Sequence, residues 1–215
     1  MRTIVIMSAA TFLIVVAAIV TRTRFSAHAI EHDGPLRLSR HAVPPDDYAS
    51  LNSKAGRQLP EALARVVLPD DRPAALIFLR ADCECSNDFA RLFNALEPHL
   101  HQAAYCLAVI EGTDQQARAF VTKNAFTAPF LAQHNSNLAA AWGIGKAGAV
   151  ALVRPNRETE VIWPGISRQV FRDLTNRLGN QNMVPEEILN TLPGASTAGC
   201  PLHPISVSLS QGVDR

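Results

Sequence analysis

Residues 74–97 read AALIFLRADCECSNDFARLFNALE, and this stretch decides the fold. The apolar run Ala75 to Leu79 is long enough for a buried strand and too short for a buried helix. After Arg80 the apolar positions become Phe89, Leu92, Phe93 and Leu96, the i, i+3, i+4, i+7 spacing of a helix buried on one face. Ser86 is the expected cap of that helix, because its hydroxyl can accept from an orphan backbone N–H, and Pro98 is its expected end. Cys83 and Cys85 fall where strand hands over to helix. Two thiols there point to thiol chemistry, since the helix dipole favours a thiolate.

Outward from this centre the chain alternates. Residues 104–110 (AYCLAVI) predict a second strand, and 113–124 a helix capped by Thr113 or Asp114. Residues 127–132 predict a brief strand, because Pro129 forbids a central helix, and 135–142 a short helix. Ala147 to Val153, the turn Arg154-Pro155-Asn156-Arg157, and Glu160 to Trp163 form a hairpin. A last helix runs from Ser167 to Leu178, with Gly179 where a C-cap belongs. This order predicts an α/β domain over 71–180, with a largely parallel sheet and an antiparallel hairpin at one side.

The 215 residues suffice for one ordinary domain plus extensions, with no internal repeat. A formal charge of +1 and the lack of a basic block argue against a nucleic-acid partner. Residues 3–20, TIVIMSAATFLIVVAAIV, are an uncharged apolar run of 18, at the lower edge of a membrane span. Arg22 and Arg24 separate it from Ala27-His28-Ala29, which favours an uncleaved anchor over a cleaved signal. We therefore divide the remainder into an anchor (1–24), a tether with a short helix at 60–67 (25–70), and a C-terminal tail (181–215) that is either disordered or draped over the domain. Arg2 opposes Arg22 and Arg24, so the charges do not orient the anchor. An exchanging dithiol favours the oxidising periplasmic face of the inner membrane.

FLRADCECS leading into a helix, AWGIGKAGAVALVRP before a terminal hairpin and helix, and the extra helix and strand at 113–132 together resemble the thioredoxin-like superfamily. The resemblance is to the membrane-anchored bacterial thiol–disulfide proteins of the TlpA kind, and it covers residues 72–179. It implies a central mixed β-sheet flanked by helices, an N-terminal transmembrane helix, a protein dithiol or disulfide as partner, and no organic cofactor, because the electrons reside on sulfur. Two departures stand out. The usual Cys-x-x-Cys becomes Cys83-Glu84-Cys85-Ser86, and Gly148 stands where the family carries a cis-proline that shapes docking and keeps metal off the thiols. Peroxidase chemistry is not expected, since Arg80 replaces the threonine that peroxiredoxin-type sites place three residues before the attacking cysteine.

The leading expectation is disulfide exchange, with Cys83 attacking and Cys85, or with less weight Cys200, resolving. Asp82 and Glu84 oppose a nearby thiolate, whereas the helix N-terminus and Arg80 favour one. A monothiol reaction through Cys83 with Cys85 as bystander is a variant. A second reading is Cu(I) binding by Cys83 and Cys85, with His134 or His203 as a third ligand. A third is a scaffold without catalysis. Cys106, among Tyr105, Leu107 and Val109, reads as a small core residue.

Overall fold

A computed structural model describes residues 71–134 and 137–202, together with Val43, Gln58, Leu59 and Leu68. The apolar run at 3–20, Ala27-His28-Ala29, the tether helix at 60–67, and the tail from His203 onward lie outside the described residues. Among the described residues no helix is long and apolar enough to cross a membrane.

The apolar run forms β1, Ala74–Arg80, buried along all but its last residue. A strand apolar on both faces belongs in the middle of a sheet, and β1 lies there. It pairs in parallel with β2, Tyr105–Glu111, and antiparallel with β4, Val150–Val153. Beyond β2 lies β3, Phe130–Gln133, in parallel, and beyond β4 lies β5, Thr159–Trp163, antiparallel. The five-stranded order is β3-β2-β1-β4-β5.

Helix α1, Glu84–Leu100, connects β1 to β2 and packs on both. Its inner face carries the expected Phe89, Leu92, Phe93 and Leu96, with Leu100 continuing the stripe. Helix α2, Asp114–Lys123, begins in a capping box between Thr113 and Gln116. A short α3, Asn137–Ala141, precedes β4. Helix α4, Arg168–Arg177, is capped by Ser167, whose hydroxyl accepts from the Val170 N–H at 3.2 Å, and Gly179 follows at φ +80°. Phe78, Phe89, Phe93 and Phe171 are the largest fully buried side chains, and Phe78 meets Trp142 edge-on at 5.7 Å.

Two boundary expectations are corrected. Ser86 does not cap α1: Cys83 holds the N-cap position without a side-chain cap bond, and Ser86 sits inside the first turn, fully buried. Its hydroxyl reaches back to accept from the Arg80 N–H at 2.9 Å, tying the end of β1 to the start of α1. Pro98 does not end α1, which runs on to Leu100. Leu96 and Leu100 are both fully buried, and that burial outweighs the one hydrogen bond a late proline removes.

Residues 181–202 pack against the domain. Helix α5, Glu186–Thr191, buries Leu189 and contacts α4. Thr197 and Ile166 then exchange backbone hydrogen bonds of 2.9 and 2.8 Å. The next residues lie beside the segment before β4: Gly199 N–H donates to the Ala147 carbonyl (2.7 Å), Ala147 N–H to the Cys200 carbonyl, and Leu202 N–H to the Gly145 carbonyl (both 2.9 Å). We call residues 197–202 the strap. The strand β4 starts at Val150, not at Ala147, because Gly148 at φ +88° turns the backbone out of the extended conformation just before it.

Candidate functional site

The site lies where β1, α1 and the strap meet. Cys83 is in extended conformation at the N-cap of α1, and its N–H donates to the Arg80 carbonyl at 3.3 Å. Cys85 is one residue into the helix, partly buried and free. The strap brings in Cys200, and Cys83 and Cys200 form a disulfide across 117 residues, with Cα atoms 6.3 Å apart. That separation is within the range a disulfide spans. The three sulfurs lie within 4.8 Å of one another. Cys85, the expected first partner of Cys83, is a free thiol, and the bond goes to Cys200. Cys83 is only 2% exposed, while Cys200 and Cys85 are partly open.

Close packing holds this arrangement. A Cβ on Gly199 would sit 3.0 Å from Phe89 Cε2 and 3.1 Å from Cys85 Cβ, so the absence of a side chain lets the strap approach α1. Gly148, at φ +88°, donates its N–H to the Phe78 carbonyl at 2.7 Å, and a Cβ there would come within 2.6 Å of the Phe89 ring. A residue with a side chain fits neither the torsion nor the space. No cis peptide occurs among the described residues.

Arg80 does not serve the thiols as expected. Its Nε and Nη2 donate to the two carboxylate oxygens of Asp82, and its Nη1 donates to the Pro201 carbonyl at 2.7 Å. The bond to Asp82 holds the arginine above its ordinary pKa and the Asp82 carboxyl below its own. Arg80 is thus a clamp on the strap. Burial, reinforced by the Asp88 and Glu84 carboxylates, raises the Cys85 pKa, and its own N–H at the helix start acts the other way. Cys85 is a weakly acidic thiol.

Cys106 stands apart in β2, 3% exposed, its pKa pushed by burial up to about 12. His134 is exposed and lines a cleft with Arg80, Asp82, Glu111 and Gln116; it is not in the sulfur cluster. The residue to which sequence reasoning gave too little weight is Cys200. No spacing rule links Gly199-Cys200-Pro201 to a loop 117 residues upstream.

No protein-family model matches the chain, and no curated protein matches it. Several solved structures do. A secreted Mycobacterium tuberculosis disulfide oxidoreductase homologous to E. coli DsbE is 16% identical, with a TM-score of 0.41 over 61% of this chain and 97% of that one. The MTB protein dsbF is 21% identical, with a TM-score of 0.42 over 60% and 96%. Peroxiredoxin Q of Xanthomonas campestris is 18% identical, with a TM-score of 0.42 over 58% and 95%. The fold itself is read from the strands. A parallel β1-α1-β2 unit, an antiparallel β4-β5 pair and a closing helix in one mixed sheet fit the thioredoxin-like fold, with the Cys83/Cys85 pair beside a disulfide.

Proposed function

We propose that this is a membrane-anchored thiol–disulfide exchange protein whose oxidising equivalent is the Cys83–Cys200 bond and whose partner is a protein dithiol. The observation that carries the reading is a disulfide at a helix N-terminus with a third thiol within 4.8 Å. A partner thiolate meets Cys200 first, because Cys83 is buried. Attack at the Cys200 sulfur forms a mixed disulfide, and Cys83 leaves with the electron pair as a thiolate that the α1 dipole stabilises. The partner's second thiolate then displaces Cys200. The partner gains a disulfide, Cys83 and Cys200 become thiols, and the two protons come from the partner's own thiols. The reverse sequence reduces a partner disulfide: the Cys200 thiolate attacks it and releases one partner thiolate, and Cys83 then attacks the Cys200 sulfur, re-forming Cys83–Cys200 and releasing the second. Cys85 is the internal thiol that resolves stalled mixed disulfides, slowly at neutral pH because its pKa is raised.

The anchor is the run at 3–20, and the domain faces the periplasm, where a disulfide persists. Mixing oxidised full-length protein with a reduced dithiol peptide tests the exchange. The reading expects one peptide disulfide per protein, abolished by Cys83→Ser or Cys200→Ser and retained in Cys85→Ser. No peptide oxidation by the wild type would refute it. Alkaline extraction of membranes tests the anchor, which is refuted if the protein leaves with the soluble fraction.

A further inference from the structure

The three cysteines are drawn together by backbone that does not depend on the disulfide. Cys83 is fixed by the β1–α1 loop, which the Ser86 hydroxyl ties to the Arg80 N–H. Cys85 rides on α1 one residue into the helix. Cys200 is held by the strap, which bonds to Gly145, Ala147 and Ile166 through the backbone and to Arg80 through Pro201. The strap also buries Ala198 and Leu202. When a thiol reductant converts Cys83–Cys200 to two thiols and is itself oxidised to a disulfide, the reaction breaks none of these backbone contacts.

We propose that the reduced protein binds one Cu(I) ion through the sulfurs of Cys83, Cys85 and Cys200. Three sulfurs already within 4.8 Å of one another require only small side-chain rotations to surround a single ion. Thiolates are soft ligands that suit Cu(I) and zinc. Structural zinc sites are closed by four ligands, and among the described residues no fourth histidine, cysteine or carboxylate joins the group. The helix N-terminus favours the anionic cluster formed as each thiol releases its proton. Cys83 is buried, which withdraws the ion from water and from competing oxygen ligands. This site differs from the Cys-plus-histidine set expected from sequence: the third ligand is Cys200, and His134 takes no part. The proposal does not rest on partner exchange, which the dithiol-peptide assay measures separately.

The test is an anaerobic titration of the reduced, detergent-solubilised full-length protein with Cu(I) against a chromogenic Cu(I) chelator. One Cu(I) per chain is expected. Cys83→Ser, Cys85→Ser and Cys200→Ser should each weaken binding by more than about 100-fold, the upper end of what loss of a merely supporting group costs. Cys106→Ala should bind as the wild type does. X-ray absorption at the copper edge of the wild-type complex should count three sulfur neighbours, a readout that survives even if a variant fails to fold. Absence of stoichiometric binding, wild-type affinity in Cys200→Ser, two sulfur neighbours instead of three, or displacement of Cu(I) by equimolar Zn(II) would each overturn the proposal.

Discussion

Reducing the Cys83–Cys200 bond should lower the stability of the domain by an amount that identifies which cysteines are joined. The bond closes a loop with a sequence separation of 117 residues. The chain-entropy expression for a loop of that size gives about 5 kcal/mol at room temperature, and measured disulfides typically deliver about 2–4. Because the strap keeps its backbone pairing when reduced, native strain should change little, and we expect about 3–4 kcal/mol. The same expression applied to a Cys83–Cys85 ring gives only about 1.5 kcal/mol. The assay is thermal unfolding of full-length protein in detergent, oxidised and with excess reductant, for the wild type, Cys85→Ser and Cys200→Ser. A loss of 3–4 kcal/mol should lower Tm by roughly 10–15 °C in a domain of this size. Cys85→Ser should keep that dependence on reductant, and Cys200→Ser should lose it. If the dependence vanishes in Cys85→Ser and survives in Cys200→Ser, the assignment of the bond is wrong.

Three further outcomes follow from the packing. Gly148→Ala places a residue with a side chain at φ +88° and a methyl against the Phe89 ring; torsion and overlap together should cost about 2–4 kcal/mol, read as a lower denaturant midpoint with an unchanged slope. Ser86→Ala removes the acceptor of the Arg80 N–H at a fully buried position and should cost about 1–3 kcal/mol; a change below a few tenths would show that the tie contributes nothing. Cys106 carries a folded pKa of about 12, against about 8.5 for a free thiol. Its folded pKa is raised, so its stabilisation is complete below the free-thiol value and is lost as pH rises from there towards 12. Stability measured between pH 8 and 11 should therefore fall, and Cys106→Ala should flatten that fall.

The parts of the fold that were legible in sequence are those where one physical signal dominates. Ala75 to Leu79 announced a buried strand because the run is apolar throughout and short, and Phe89, Leu92, Phe93 and Leu96 announced the inner face of α1. Thr113 marked a helix start through its hydroxyl and makes the expected cap, and Ser167, where the last helix was expected to begin, caps it instead. Ser86 misled because a hydroxyl three residues into a helix can serve the preceding strand as well as the helix end. Pro98 misled because two fully buried leucines flank it. The loop carrying Cys83 and Cys85 was visible as a strand-to-helix junction, but the position of Cys200 was not. It depends on strap pairing with residues 145–147 and on Gly199 lying against Phe89, contacts between segments far apart in sequence with no periodicity of their own.

The measurement that bears most directly on the account is a glutathione redox titration of the full-length protein, with cross-linked peptides mapped by mass spectrometry at each potential. One reversible two-electron transition is expected, in which the Cys83–Cys200 peptide pair appears and disappears, kept in Cys85→Ser and lost in Cys83→Ser and in Cys200→Ser. A couple that persists in Cys200→Ser through a Cys83–Cys85 link, or a Cys83–Cys200 bond that never exchanges with glutathione while the protein stays folded, would contradict it.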